Sequence, residues 1–276
     1  MKTKLIAIFL TLALLCVAQP VNLAFASETS QAIDVTNDRY AEPDIVISRA
    51  TETLNYSSYR IVETNTTPNE CPFYYNSSYA NSCGAVAGSN IIGYYDKYYE
   101  DLIPGYVAYY TSSGRYKSAD STYIPQVVGS LYTSMRTNVD DVGISYSDFF
   151  LGLTQYVNSK GRTLTYSSAY SSFSGVNYST VKSAIDSGNV LAVFCDPTTI
   201  LQINLGDTSA TFFTTNIISS HIMIVYGYMK VEFTFSNNTT RTDTYLLLST
   251  GLSSVRQANI LVNSDDIVQL QKIVIT

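Results

Sequence analysis

Hydrophobic positions repeat with a helical period in the first half of the chain and mainly with a strand period towards its end. From Cys83 to Tyr95 the apolar residues recur every three or four positions, which is the spacing of one helical face. The same spacing predicts three further helices, over 125–135, 147–157 and 179–186. Alternating or continuous apolar runs predict strands, which lie at 190–194, 222–228, 230–235, 245–248 and 267–275.

Residues that favour helix ends support this division. Pro125 suits the first position of a helix, and Ser147 can cap the next helix, which Gly161 would end. Helices followed by an antiparallel sheet predict an α+β fold.

The segment 27–67 differs from the rest of the chain. It is rich in Ser, Thr, Asn and Glu, and apolar alternation is limited to a short stretch near 44–47. We expect either a pro-segment that blocks a cleft or an extended arm, because a polar composition fits both. The main domain is expected to span 68–276.

The chain begins with the features of a secretory signal peptide. Lys2 and Lys4 precede an apolar run over 5–17, and Ala24-Phe25-Ala26 forms a small-residue cleavage site. Residues 1–26 are therefore expected to be removed, which predicts a secreted, extracellular protein. No later apolar run in the sequence is long enough to span a bilayer.

Composition narrows the set of partners. The net charge is -6, and removing 1–26 takes away two lysines and no acidic residue, so the mature chain is more acidic still. This charge disfavours nucleic acid and anionic membranes as partners. A peptide or protein substrate is the expected partner, with contact to the cell surface or cell wall as a further candidate. The 24 tyrosines are expected mainly as strand formers and core residues.

Three cysteines remain once the signal peptide, with Cys16, is removed: Cys71, Cys83 and Cys195. An odd number in an exported protein leaves at least one of them outside an intramolecular disulfide. Two arrangements stay open, a Cys71–Cys195 disulfide beside a Cys83 thiol, or three thiols.

Cys83 and His221 carry the clearest chemical signal. A cysteine attacks as its thiolate, and both a helix N-terminus and a neighbouring imidazole lower the pKa of a thiol. Cys83 opens a predicted helix, and His221, the only histidine in the chain, opens a predicted strand. Singly, each could be structural, as a buried thiol or a hydrogen-bonded ring. Together they predict a nucleophile and its general base.

The motifs around these two residues are Ser82-Cys83-Gly84-Ala85-Val86-Ala87 and His221-Ile222-Met223-Ile224-Val225-Tyr226-Gly227-Tyr228. Both resemble the motifs of papain-like cysteine peptidases, in particular the bacterial leader-peptidase-like branch. The segment 180–188 and the strand after it are similar to the helix, glycine and strand that precede the histidine there. The resemblance spans residue 71 to the C-terminus. It implies a papain-like α+β fold, with Cys83 at a helix start in an N-terminal helical half and His221 in a C-terminal antiparallel sheet.

The resemblance also implies two supporting roles, and the chain departs from the family at both. Where the family has an Asn or Asp that orients the histidine, this chain has Ser249. Where the family has a Gln that donates to the oxyanion, position 77 is Ser, and the nearest amides are Asn76 and Asn81. Ser249 is therefore the expected orienting residue. Asn76, the closer of the two amides by spacing, is the expected oxyanion donor.

These expectations lead to a secreted papain-like thiol hydrolase that cleaves peptide amide bonds and uses no cofactor or metal. One alternative keeps the Cys83–His221 dyad but acts on cell-wall peptides or transfers an acyl group, because one fold hosts many substrates. The other alternative is a non-catalytic papain-like module that binds a surface, which Ser249 and the many aromatic residues favour.

Overall fold

Antiparallel β-structure dominates the part of the chain that the structure describes. The structure is a computed structural model, and it describes residues 39–40, 48–68, 71–75, 78–106 and 123–276. These residues belong to one compact unit, which covers 32–276. The predicted signal peptide over 1–26 lies outside the described residues.

The helices within these ranges are α1 (Cys83–Asp96), α2 (Tyr123–Ser134), α3 (Tyr146–Ser159) and α4 (Tyr178–Asp186). The strands that precede α4 are β1 (Arg39–Tyr40), β2 (Arg49–Asn55), β3 (Ser58–Thr66), β4 (Ile144–Ser145), β5 (Leu164–Ser168), β6 (Tyr170–Ser171) and β7 (Gly175–Val176). The strands that follow it are β8 (Leu191–Cys195), β9 (Thr198–Leu205), β10 (Ser209–Ile217), β11 (His221–Thr234), β12 (Thr240–Ser249), β13 (Gln257–Leu261) and β14 (Ile267–Ile275).

Ten strands form the main sheet, in the order β2-β10-β9-β13-β12-β11-β8-β14-β5, with β3 paired to β11 beside this path. All of the pairs are antiparallel. The long strand β11 organises the sheet, because β8 pairs with its first part, β3 with its second part and β12 with its other edge. Its pairing with β12 shifts register between Val225 and Gly227. The two strands predicted over 222–235 are therefore one strand with an irregularity.

The predicted papain-like α+β fold with an N-terminal helical half is wrong. The described chain enters the main sheet at β2 and β3, before α1, and both strands come from the polar segment 27–67. Most of their residues are exposed, so the apolar alternation that signals a strand is weak there. Pairing with β10 and β11, far later in the chain, forms these strands. The result is a sheet-dominated fold.

Two apolar cores cover the sheet where β11 begins. Ile222 and Ile224 pack with residues of α1, α2 and α3, whereas Met223 and Val225 pack with residues of α4. Because successive side chains of a strand point to opposite faces, α1–α3 lie on one face of the sheet and α4 on the other. His221 is the first residue of this strand and is 1% exposed.

A third core is built mainly from strand residues, together with Tyr56, which lies between β2 and β3. Phe212 of β10, Phe233 of β11 and Tyr245 of β12 pack together there. Leu54 of β2 and Tyr59 of β3 also pack against it. In the series β2-β10-β9-β13-β12-β11, β2 lies at one end and β3 pairs with β11 at the other. Since residues of both β2 and β3 pack against the same core, the sheet curls round it.

Helix ends differ in detail from the sequence-based expectation. Ser145, not Ser147, caps α3 by accepting a hydrogen bond from the Asp148 N–H at 3.1 Å. Pro125 is the third residue of α2, not the first. Gly161 follows α3 with φ +74°, a left-handed conformation that commonly ends helices.

Candidate functional site

Cys83 is the first residue of α1, as the sequence pattern predicts, and its side chain is 2% exposed. The helical hydrogen bonding starts there, since the Val86 N–H donates to the Ser82 carbonyl at 2.9 Å. Every residue of α1 is buried, so the helix is enclosed along its length. The N–H groups of a first helical turn point out of the helix and carry its positive end, which favours a thiolate over a thiol.

Gly84 lets this end of α1 lie close to its neighbours. A Cβ placed on Gly84 would overlap the Ile144 side chain and would lie 3.5 Å from Ile222 Cδ1. The residue after Cys83 therefore faces the residue after His221. The close approach seats the start of α1 at the start of β11.

The hydrogen bond of His221 fixes the roles of its two ring nitrogens. Nε2 lies 2.8 Å from the Thr250 carbonyl oxygen. Since a carbonyl oxygen only accepts hydrogen bonds, Nε2 must carry a hydrogen and donate it. In the neutral ring Nδ1 is then the basic nitrogen.

The turn that carries Thr250 also contacts α1. Gly251 has φ +74°, and a Cβ placed on it would lie 3.1 Å from Val86 Cγ1, within one helical turn of Cys83. The helix that begins at Cys83 and the carbonyl that binds His221 are thus joined through two adjacent residues of one turn. This arrangement brings the surroundings of Cys83 and His221 together.

Ser249 does not orient the histidine. Its hydroxyl donates to the Pro72 carbonyl at 2.8 Å, and the hydrogen bond to the His221 ring comes from the main chain of the next residue, Thr250. Ser249 instead ties the segment 71–75 to β12. Asn90 of α1 holds the same segment, because its side-chain amide accepts from the Tyr74 N–H at 3.0 Å and donates to the Tyr74 carbonyl at 3.1 Å.

The expected oxyanion donor, Asn76, lies outside the described residues. The other candidate amide, Asn81, has φ +57°, and its side-chain nitrogen donates to Asn138 Oδ1 at 3.0 Å. Asn138 in turn donates to the Ala80 carbonyl and accepts from the Gly143 N–H. Asn81 therefore holds the turn before Cys83 against the turn after α2, and this contact uses one of its two amide hydrogens.

Of the other two described cysteines, Cys195 is unsuited to the nucleophile's role. Cys71, Cys83 and Cys195 are all buried thiols, so the Cys71–Cys195 disulfide considered above is not present. Cys195 lies opposite His221 in the pairing of β8 with β11. Burial raises the pKa of the Cys195 thiol far above its usual range, and the negative charges of Asp266 and Asp196 raise it further. Cys195 therefore stays protonated.

The contribution of Thr250 was not predictable from residue types. Any residue provides a main-chain carbonyl, so the sequence carries no signal for this hydrogen bond. The one related feature was positional, since the family's orienting residue precedes a glycine-containing turn and Gly251 follows Thr250 here.

The described ranges also bear on metal binding and on membrane spanning. No group of three or more His, Cys, Asp or Glu residues there is placed to hold a metal ion. None of the helices described is both long enough and apolar enough to cross a membrane. A cavity of about 540 Å³ between α2 and α3 has Gln126, Ser130 and Gln155 in its lining but none of the candidate catalytic residues.

Comparisons with known proteins found no matching family model, curated protein or solved structure. The function is therefore inferred from the side chains and their geometry.

Proposed function

We propose that this protein is a secreted thiol hydrolase that cleaves amide bonds in peptides, with Cys83 as nucleophile and His221 as general base and acid. The observation that carries the proposal is the Nε2–H···O hydrogen bond to Thr250, which leaves Nδ1 as the basic nitrogen of a residue whose strand begins against the start of α1. The resemblance of the two motifs to those of papain-like cysteine peptidases supports the chemistry, although the fold expected from it is wrong.

The resting state is a thiolate–imidazolium pair. The Thr250 carbonyl favours the imidazolium, because a hydrogen bond from a cationic donor is stronger than one from the neutral ring. The N-terminus of α1 favours the thiolate. Both effects stabilise the charges that the nucleophile needs.

In the first step, the Cys83 sulfur attacks the carbonyl carbon of the scissile amide and forms a C–S bond. The His221 imidazolium gives its Nδ1 proton to the leaving amine as the C–N bond breaks, which produces a thioester and a free amine. First-turn N–H groups of α1 stabilise the negative charge on the carbonyl oxygen during the attack.

In the second step, neutral Nδ1 takes a proton from water, and the water oxygen attacks the thioester carbon. The C–S bond breaks, and the products are a carboxylic acid and the restored thiolate–imidazolium pair. Nε2–H keeps its hydrogen bond to Thr250 throughout.

Burial of both side chains favours a second candidate function, a non-catalytic binding module. Cys83 is 2% and His221 1% exposed, so a peptide reaches the sulfur only after covering groups move. In a binding module the pair would be structural and would stay covered.

One experiment separates the two candidates. The protein beginning at residue 27 is treated with an epoxide that alkylates activated thiols, and the modified residue is mapped by mass spectrometry. We expect one label per chain, on Cys83, and loss of peptide hydrolysis in step with labelling. Cys83→Ala should lose both label and activity, by at least about 10³-fold in kcat, because the nucleophile is absent.

Cys195→Ala is the matched control, since it also removes a buried thiol but leaves the proposed nucleophile in place. It should retain label and activity. Undiminished hydrolysis in Cys83→Ala would overturn the proposal, and a wild-type protein that neither reacts nor cleaves casein or cell-wall peptides would support the binding module.

Secretion has its own test. N-terminal sequencing of protein recovered from culture medium should give a start at Ser27 or later. Retention of the whole protein inside the cells, with Met1 intact, would contradict it.

A further inference from the structure

We propose that Thr250 is the positioning residue of the site, and that its hydroxyl holds the turn in the conformation in which its carbonyl binds His221. The inference rests on the proposed function and extends it, because it assigns the orienting role to a turn rather than to an Asn, Asp or Ser side chain.

The hydroxyl of Thr250 bridges two points of the turn. It donates to the Val255 carbonyl and accepts from the Leu252 N–H at 3.1 Å. The Thr250 N–H donates to the Arg256 carbonyl at 3.1 Å. Thr250 is fully buried, so no water competes for these bonds. The hydroxyl and the N–H hold the turn, and the remaining polar group, the carbonyl, faces the imidazole.

The position of the turn is set by its contact with α1. Gly251 adopts φ +74°, which side chains other than glycine rarely adopt, and it lies against Val86. The same turn therefore fixes the position of His221 relative to the helix that begins at Cys83. A change in the turn conformation would alter the orientation of the ring without touching Cys83.

Loss of the hydroxyl has a defined chemical consequence. The peptide group between residues 250 and 251 could then rotate away from the ring, and Nε2–H would lose its acceptor. The tautomer with hydrogen on Nδ1 would become populated, and that tautomer has no basic nitrogen on the Nδ1 side. The imidazolium would also lose stabilisation, so its pKa would fall.

The test compares Thr250→Val, which removes the hydroxyl at nearly constant shape, with Thr250→Ser, which keeps it. Thr214→Val is the matched control. The Thr214 hydroxyl also lies buried, and it both donates to the Ala50 carbonyl and accepts from the Ala50 N–H, but it belongs to β10. Thr250→Ala, which avoids overpacking, repeats the measurement if the valine variant does not fold.

The first readout is the tautomer of His221. Because the chain has a single histidine, ¹⁵N-histidine labelling of protein without a histidine tag gives NMR signals from this ring alone. Wild type, Thr250→Ser and Thr214→Val should show the Nε2–H form. Thr250→Val should show a mixture with the Nδ1–H form.

The second readout is catalysis. Thr250→Val should lower kcat about 10-fold or more with little change in KM. It should also lower the pH at which activity begins to fall on the basic side of the pH profile. Thr250→Ser should restore both. An unchanged tautomer and pH profile in Thr250→Val and Thr250→Ala would overturn the positioning role. If the tautomer changes as expected while wild type hydrolyses no peptide, the positioning role stands and the proposed function fails.

Discussion

A single hydrogen bond assigns the roles of the two nitrogens of His221. The acceptor is a carbonyl, so the bond selects the Nε2–H tautomer without adding a negative charge. A carboxylate in the same position would stabilise the imidazolium more strongly. The site therefore depends on the orientation of one peptide group, which explains why the turn that carries it is tightly held.

A second buried titratable residue, Asp96, lies at the other end of α1. Desolvation raises the pKa of its carboxyl to about 7, the Ile103 N–H opposes this by donating to it at 2.7 Å, and Glu100 and Asp101 raise the pKa further. Lys160 lowers it slightly. At neutral pH the buried carboxyl is thus only partly ionised.

Asp96→Asn should remove a pH-dependent loss of stability. The folded pKa of about 7 lies above the unfolded value of 3.8, so the folded chain holds the proton more tightly. The stabilisation of the folded state by this group is therefore fully present below pH 3.8, and it is lost as the pH rises to about 7. Between pH 5 and pH 8 wild type should lose about 2–3 kcal/mol of stability that the variant keeps, since Asn can accept the Ile103 hydrogen bond without a charge.

Urea unfolding at pH 5 and pH 8 measures this difference. Asp140→Asn is a suitable control, because Asp140 forms a surface ion pair with Arg136 at 2.9 Å and is not among the groups that shift the pKa of Asp96. A wild-type free energy of unfolding with the same pH dependence as Asp96→Asn would contradict the assignment.

At the residue scale, the sequence indicates candidate side chains but not the contacts that they make. A thiol at a helix start and a lone histidine are residue types with few alternative roles in combination, so Cys83 and His221 could be chosen from pattern alone. The Thr250 carbonyl could not be chosen, because main-chain groups are the same at every position. Ser249 was chosen by spacing, and its hydroxyl bonds to Pro72 instead.

At the element scale, the start of α1 is fixed by a close approach rather than by a cap. Gly84 leaves no room for a side chain between the helix and Ile144. The backbone of the helix can therefore lie directly against the side chains of Ile144 in β4 and Ile222 in β11, which sets the position of Cys83 relative to the strand that begins at His221.

Gly84→Ala should move the nucleophile. The added methyl group overlaps Ile144, so the helix start or that side chain must shift, at a cost of about 1–3 kcal/mol. We expect the rate of Cys83 alkylation by iodoacetamide at pH 7 to fall several-fold. Thermal unfolding and alkylation kinetics on the same preparation measure both effects.

Gly161→Ala is the control for this substitution. Gly161 has nothing within 4 Å of its Cβ position, and its φ of +74° alone makes the change unfavourable. It should cost about 1 kcal/mol of stability and leave the alkylation rate unchanged. Equal effects of the two variants on alkylation would argue against a role for the Gly84 contact.

Strands with a strong local apolar pattern were predicted well, and strands with a weak one were not predicted. β14 was predicted with its observed bounds, and β8 within one residue, because β8 is a continuous apolar run and six of the nine residues of β14 are apolar. β2 and β3 carry mostly exposed residues, so no local apolar pattern marks them as strands. Their order comes from pairing with β10 and β11, and sequence pattern does not report which distant strands will pair.

At the scale of the whole molecule, residues 48–66 belong to the sheet that carries His221. β3 pairs with β11 from Gly227 to Thr234, and the Thr67 N–H donates to the Tyr226 carbonyl at 2.8 Å. Polar contacts add to this pairing, since Asn65 donates to Asp186 of α4 at 2.7 Å and Glu63 pairs with Lys182. The segment expected as an arm or pro-segment thus supplies the strand that pairs with the second part of β11, the strand that begins at His221.

Deleting residues 27–67 should therefore unfold the protein rather than activate it. The deletion exposes the N–H and C=O groups along the second part of β11, and it removes Tyr56 from the strand-built core. We expect aggregation and loss of the cooperative thermal transition, measured by light scattering and circular dichroism. A chain that begins at residue 48 is the matched control, because it keeps both β2 and β3, and it should melt cooperatively. A soluble chain beginning at residue 68 with the melting temperature of the control would show that β3 is a dispensable arm, and it would return the pro-segment hypothesis to residues 48–67.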